Sequence, residues 1–358
     1  MRVHTSIMNN SYRVMKKLGG GAFGTVYEVI VLNDQTTVKR EPDRKALKIP
    51  STRKKSKLYL NREIKTLQDI KYSKYWSKLH NYQMDTFILI DKYETTLFDM
   101  MSASMKVVNV SVKQQILEKS KNLTNEKFIC EILMSLINAL EMLHKAGYIY
   151  KDLKPENIMF NKSGNLKLID FGMCEKIVGN TIIDDEFSYY YQNFFRKKEK
   201  YIVGTLRYCS MNCHRGEQLS FLDDLENLIY VIIYVYEGTL PWNSEEKQKH
   251  ISEKIDTIFN DEKFNLNIKN INILKSKQIC ATQKFSLTKN IKLEKIYRYI
   301  IDLQNKKSNL EKVLKIPYFY NSTVYTNIKK IINENNREFL NNSYWNRFLN
   351  LFQCFFCR

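Results

Sequence analysis

The chain has 358 residues and a hydrophobic fraction of 44%, enough for one large two-lobed domain or two modest ones, and too apolar for general disorder. A formal charge of +19 suits nucleic acid, an anionic membrane surface, or acidic and phosphorylated proteins, but no zinc finger or RNA-binding motif supports a dedicated nucleic-acid site. The N-terminus lacks the pattern of a secretory signal, the longest apolar run (Leu228–Tyr236) is too short to span a bilayer, and seven scattered cysteines suit reduced thiols in the cytoplasm or nucleus.

In chain order, residues 12–32 alternate as strands around a glycine cluster, and Lys45–Ile49 reads as a further strand after the polar connection Asp34–Arg44. The cluster places Gly19, Gly21 and Gly24 in the pattern G-x-G-x-x-G, after Leu18 and before Val26. A dinucleotide-binding turn uses this spacing too, but leads directly into a helix. Here Thr25–Val31 is β-branched and aromatic. The stretch Leu18, Gly19, Gly20, Gly21, Ala22, Phe23, Gly24, Thr25 and Val26 therefore predicts a hairpin whose backbone N–H groups lie over phosphates. Lys48, on the next strand, can reach the α- and β-phosphates if a carboxylate fixes its stem. Glu63, within the helical spacing of Tyr59–Leu67, is the candidate partner. Thr86–Asp91 has the apolar run of a buried strand.

Residues 104–124 are polar and weakly patterned, and read as a surface insertion. Phe128, Ile129, Ile132, Leu133, Leu136, Ile137, Leu140 and Leu143 then recur at three- and four-residue intervals, which predicts one helix ending at Gly147. Short strands follow at Ile158–Phe160 and Leu166–Ile169, and the remainder is largely helical. Leu228–Tyr236 reads as a helix buried on all sides. Strands first and helices later predict an α+β protein with a small sheet lobe and a larger helical one.

The densest chemistry lies in Tyr150-Lys151-Asp152-Leu153-Lys154-Pro155-Glu156-Asn157, followed 13 residues after Asn157 by Asp170-Phe171-Gly172. Phosphoryl transfer needs positioning and charge neutralisation more than covalent help from protein. Asp152 can accept the attacking hydroxyl's proton or orient that hydroxyl, and Lys154 can neutralise the γ-phosphate. Asn157 and Asp170 supply the hard oxygen ligands that Mg²⁺ prefers.

Taken together these motifs resemble the eukaryotic protein kinases over about Tyr12–Asn336. Within them, Gly204-Thr205-Leu206-Arg207-Tyr208-Cys209-Ser210-Met211-Asn212, Asp223-Asp224-Leu225-Glu226 and Leu240-Pro241-Trp242 resemble the casein kinase 1 family, in which Ser-x-Asn stands where most kinases have Ala-Pro-Glu. The resemblance implies a bilobal protein-kinase fold over 12–336, with a β-rich N-lobe (about 12–91) carrying one main helix and a helical C-lobe (about 92–336). An N-terminal extension (1–11) and an apolar tail (337–358) flank it. ATP and Mg²⁺ are the implied cofactors, and the implied reaction moves the γ-phosphate to Ser or Thr of protein substrates. The backbone of Asp91 and Tyr93 would bind adenine, Ile90 would stand behind it as gatekeeper, and Val26, Ala46 and Met159 would sandwich the ring. Asp99 would contact ribose, and Asp224 would brace the catalytic loop. Arg207 matches an anion-binding residue beside the substrate groove, so acidic or pre-phosphorylated contexts are expected. Lys247 and Lys249 are candidates to extend that patch.

Lys154, two residues after the base, marks Ser/Thr rather than tyrosine enzymes in the resembled family. Asp-Phe-Gly followed by Gly-Thr-x-Arg-Tyr argues against a small-molecule kinase. Two residues depart from the family's His-Arg-Asp triplet: Tyr150 replaces the histidine and Lys151 the arginine. Neither removes the base or a metal ligand, so an active enzyme is expected, with a pseudokinase scaffold as the alternative. The activation segment is long, with Asp184–Lys200 rich in tyrosine and charge. For the tail two readings stand: a segment docked on the helical lobe, or a peripheral membrane contact with S-acylation at Cys354 and Cys357. A monomer is expected.

Overall fold

Alternating apolar side chains and a tight glycine turn fold the start of the described chain into strands β1 (Tyr12–Gly21) and β2 (Gly24–Val31). This computed structural model describes residues 12–21, 23–32, 43–106, 125–161, 163–178, 181–182, 204–242, 273–274, 277–278, 281, 287–288, 290–314 and 322–333, with the backbone alone at 102–106, 125–128, 178, 181–182 and 307–314. Expectations for the 1–11 extension, Ala22, the body of the 104–124 insertion, Asp184–Lys200, Lys247, Lys249 and the 337–358 tail lie outside the described residues. The further elements are β3 (Arg44–Pro50), α1 (Lys54–Asp69), β4 (Leu79–Gln83), β5 (Phe87–Asp91), β6 (Thr95–Thr96), α2 (Leu97–Lys106), α3 (Asn125–Lys145) and β7 (Tyr148–Ile149). After them come β8 (Ile158–Phe160), β9 (Leu166–Leu168), β10 (Glu175–Val178), β11 (Thr181–Ile182), α4 (Met211–Arg215), α5 (Phe221–Glu237), α6 (Ile291–Leu314) and α7 (Ser322–Asn333). No helix of the described residues is long and apolar enough to cross a membrane.

Two units divide the chain: residues 1–95 with 159–174, and residues 96–158 with 175–358. The first is built on an antiparallel sheet in the order β1-β2-β3-β5-β4. Gly21 pairs with Gly24, and Gly24 has a φ of +149°. A Cβ at Gly24 would sit 2.2 Å from the Ile49 carbonyl oxygen, so a side chain there would push β2 off β3. One face of the sheet buries Val29, Leu47, Phe87 and Leu89, with Tyr12, Val14 and Tyr27 packed against them. Helix α1 buries Tyr59, Leu60, Glu63, Ile64 and Leu67, the three- and four-residue spacing of a one-sided helix. The β8–β9 hairpin joins this unit through backbone bonds, Glu94 N–H to the Phe160 carbonyl (2.9 Å) and Leu168 N–H to that of Tyr75 (2.7 Å). The first unit thus runs to Thr95 and takes in a later stretch of chain, 159–174.

Helices dominate the second unit. The predicted stripe on α3 is buried from Ile129 to Leu143, and the chain turns at Gly147 with φ +81°. Helix α5 is buried almost throughout, from Phe221 to Ile233, and packs against α3 and α6. Its charged start explains an otherwise puzzling run of acids in a buried helix. Asp223 accepts from the N–H and hydroxyl of Ser220 (2.7 and 2.9 Å), closing a capping box, and from the Ser210 hydroxyl (2.8 Å). Glu226, wholly buried, accepts from Met211 N–H (2.9 Å), the Tyr230 hydroxyl (2.6 Å) and the Gln304 amide (2.7 Å). Helix α2 reaches Lys106, taking the first residues of the stretch expected as an insertion.

Replacing Glu226 by alanine strands three buried donors, an expected cost of about 2–4 kcal/mol. Urea unfolding of Glu226→Ala against the parent checks this, and a loss under about 1 kcal/mol would contradict it.

Candidate active site

In the first unit, β3 and α1 aim two opposite charges at one another. Lys48 Nζ donates to Glu63 Oε2 at 2.6 Å and to Asp170 Oδ1 at 2.9 Å. Burial lowers the lysine's proton affinity, but the Asp170 and Glu63 carboxylates raise it by more, so Lys48 stays charged. Glu63 is 1% exposed, and its other oxygen accepts from the N–H of Phe171 (3.4 Å). Phe171 is buried edge-on against Trp76, with ring centroids 6.1 Å apart. Asp170 itself sits in the left-handed region at φ 62°, which sets its carboxylate off the run of the chain. One cation and two carboxylates are thus held together, a set whose charges could serve a polyphosphate and its metal.

The other predicted residues of this unit follow the sheet register. Val26 pairs with Lys48 and with Gly19, Thr25 with Gly20, and Ala46 with Ile90. Ala46 and Ile90 are buried, while Leu18 and Phe23 are exposed. Phe23 stacks edge-on against Tyr59 of α1 (4.4 Å between centroids), which pins the glycine turn to the helix carrying Glu63. Added Cβ atoms at Gly19 and Gly21 would meet no atom of the described residues within 4 Å. The Asp91 side chain is taken by His80 Nε2 (2.6 Å) and Lys78 N–H (3.0 Å). Tyr93 is buried, and Met159 is half-buried in β8.

In the second unit, Asp152 is 7% exposed and held from several sides. Lys154 Nζ donates to its Oδ2 (2.6 Å), the Thr205 hydroxyl to its Oδ1 (3.0 Å), and Asn157 Nδ2 to its carbonyl (2.9 Å) and Oδ2 (3.3 Å). With its amide nitrogen committed there, Asn157 has its carbonyl oxygen left to offer a cation. Gly204 approaches so closely that a Cβ would lie 2.6 Å from the Lys151 carbonyl oxygen, at φ +94°. Asp224 accepts from the N–H groups of Tyr150 (2.6 Å) and Lys151 (2.8 Å) and contacts His144 Nε2 (2.8 Å). Tyr150 is completely buried, and Lys151 Nζ forms an ion pair with Glu175. Asp99 engages Thr96 at the start of α2, its Oδ2 accepting from the hydroxyl (2.7 Å). Arg207 lies over the rings of Tyr234 (5.2 Å) and Tyr208 (5.8 Å), with Nη1 3.3 Å from the Tyr234 hydroxyl.

Residues 12–336 match the protein kinase domain family. The chain belongs to the protein kinase family. It is 26% identical over 357 residues to a probable casein kinase I homolog of Encephalitozoon cuniculi, covering 96% of both chains. It is also 27% identical over 266 residues to casein kinase I homolog 1 of Saccharomyces cerevisiae, covering 71% of this chain and 44% of that protein. The protein is accordingly a divergent, casein kinase 1-like, ATP-dependent protein Ser/Thr kinase with an α+β kinase fold. Protein kinases in general use ATP with Mg²⁺; Asp170 in the first unit and Asn157 in the second each offer the kind of hard oxygen donor that such a cation prefers.

Several residues of this kinase escaped the sequence reading. Thr205 stands in a quoted motif, yet its bond to Asp152 was not foreseen. Asn227, one turn after Asp224, bonds the N–H (3.0 Å) and carbonyl (2.9 Å) of Leu153, and the Asp224–Asn227 spacing could have suggested it. His144, Glu175 and Lys277 carry no local signal.

Lys48→Met leaves Glu63 buried without its cation, which is expected to cost about 3 kcal/mol. The variant should also lose the rise in melting temperature that Mg–ATP gives the parent. An undiminished ATP-dependent rise would count against a phosphate role for Lys48.

Proposed function

We propose that this kinase is catalytically active and favours Ser or Thr in acidic or pre-phosphorylated contexts, with Asp152 as the group that orients and deprotonates the substrate hydroxyl. The observation that carries the active reading is the Asp152 carboxylate, fixed by Lys154 on one oxygen and Thr205 on the other. A base held in this way is positioned without rearrangement. Lys154 is placed to offset charge on the transferred phosphoryl group. Lys48 would take the α- and β-phosphates, and Asp170 and Asn157 the Mg²⁺. Val26, Ala46, Ile90, Met159 and the backbone of Asp91 and Tyr93 would hold adenine, with Asp99 on ribose.

Tyr150 and Lys151, the two unusual residues, are compatible with activity. Tyr150 fills an interior site, and its N–H keeps the bond to Asp224. Lys151 has its charge matched by Glu175, so the left-handed turn before Asp152 (φ 72° at Lys151) keeps a partner inside its own unit.

Arg207 supports the acidic preference. Its guanidinium is exposed, backed by two tyrosine faces, and forms no ion pair with a described carboxylate, which leaves its charge for a substrate anion. A peptide array with acidic, phosphorylated or neutral residues before the target serine tests this. The expected result is at least about a tenfold preference for the anionic peptides, as one lost charge-assisted contact of roughly 1.5–3 kcal/mol would give, and its loss in Arg207→Gln. Equal rates on all peptides would overturn it.

A further inference from the structure

Four consecutive carbonyls in the segment carrying Arg207 are each held by a side chain from elsewhere in the second unit. Lys277 Nζ donates to the carbonyls of Leu206 (3.3 Å) and Cys209 (2.5 Å), Trp242 Nε1 to that of Arg207 (2.9 Å), and Asn227 Nδ2 to that of Tyr208 (2.9 Å). Lys277 thus secures both ends of the run.

Its surroundings are unusual for a lysine. The side chain is completely buried, with its ammonium 3.0 Å from His214 Nε2 and 4.8 and 4.9 Å from the rings of Tyr230 and Trp242. No described carboxylate forms an ion pair with it. Burial pulls its proton affinity down, partly countered by the Cys209, Glu226 and Cys213 side chains. An interior ammonium is expensive to keep unless its donors are used. Here they are used on backbone oxygens and aromatic faces, so the charge serves to fix a segment of main chain.

We propose that Lys277 is a positioning residue for substrate selection: it locks the 206–209 backbone and thereby sets the direction in which Arg207 presents its guanidinium to an acidic or phosphorylated side chain. The inference rests on the reading of Arg207 as the anion site. A free turn would let the guanidinium sample many directions, and each lost orientation would weaken recognition of a single anionic group. Lys277 reaches the substrate only through this backbone, so its effect falls on the peptide rather than on ATP.

The test uses the full chain and a pair of peptides matched except for one acidic or phosphorylated residue. In Lys277→Met the ratio of kcat/KM for the anionic over the neutral peptide is expected to fall about tenfold, through the KM of the anionic peptide. The KM for ATP should stay within about twofold. Lys277→Arg, which keeps charge and donors, is expected to restore the ratio to within about threefold. If Lys277→Met fails to fold, Lys277→Gln, which keeps a donor without the charge, should lose about threefold in the same ratio. A lower melting temperature with an unchanged ratio would overturn the proposal, because the lysine would then be structural only. Arg207→Gln in the same assay separates the two possible failures. If it leaves the ratio unchanged, the anion-site reading fails. If it abolishes the ratio while the Lys277 variants preserve it, only the positioning role fails.

Discussion

The second unit depends on one buried carboxylate. Asp224 is 2% exposed and accepts the main-chain N–H groups of two successive residues, Tyr150 and Lys151, immediately before Asp152. An unpaired interior carboxylate would be costly. These amides satisfy it and in return fix the loop. His144 contacts the same carboxylate from the end of α3 and is itself hydrogen-bonded to the Tyr325 hydroxyl of α7. A helix start, a helix end and a loop are therefore tied at a single side chain, and the position of Asp152 follows from that tie.

The same economy runs along the first two turns of α5. Asp223 takes Ser210 and Ser220, Asp224 takes the loop, Glu226 takes Met211, and Asn227 takes Leu153 and Tyr208. A helix that is otherwise apolar presents its polar residues at one end, each addressed to a different stretch of main chain. The contacts that hold the Ser210-Met211-Asn212 segment come from Asp223 and Glu226 rather than from an acid of its own.

The parts readable from sequence were those written in local pattern. Glycine spacing followed by β-branched residues gave the β1–β2 hairpin, and the α3 stripe gave a buried helix ending at Gly147. Lys48 and Glu63 were expected as a pair and lie 2.6 Å apart. Other features had no such signal. Strand β4, Leu-His-Asn-Tyr-Gln, is exposed along most of its length and so lacks alternation. Glu175 and Lys277 are charges in a charge-rich chain, and only tertiary packing makes one a counter-ion and the other a buried brace. The membership of residues 159–174 in the sheet unit arises from backbone pairing between distant stretches, which side-chain patterns do not encode.

The central claim is that the fixed Asp152 carboxylate serves phosphoryl transfer to protein, with Tyr150 and Lys151 tolerated beneath it. The most direct measurement is transfer of label from γ-labelled ATP to casein, in the presence of Mg²⁺, by the full chain and by Asp152→Asn. The account predicts labelled phosphoserine or phosphothreonine with the parent and a loss of at least about a hundredfold with Asp152→Asn, the scale of a positioned proton acceptor. Equal labelling by both, or none by a folded parent that binds Mg–ATP, would contradict it.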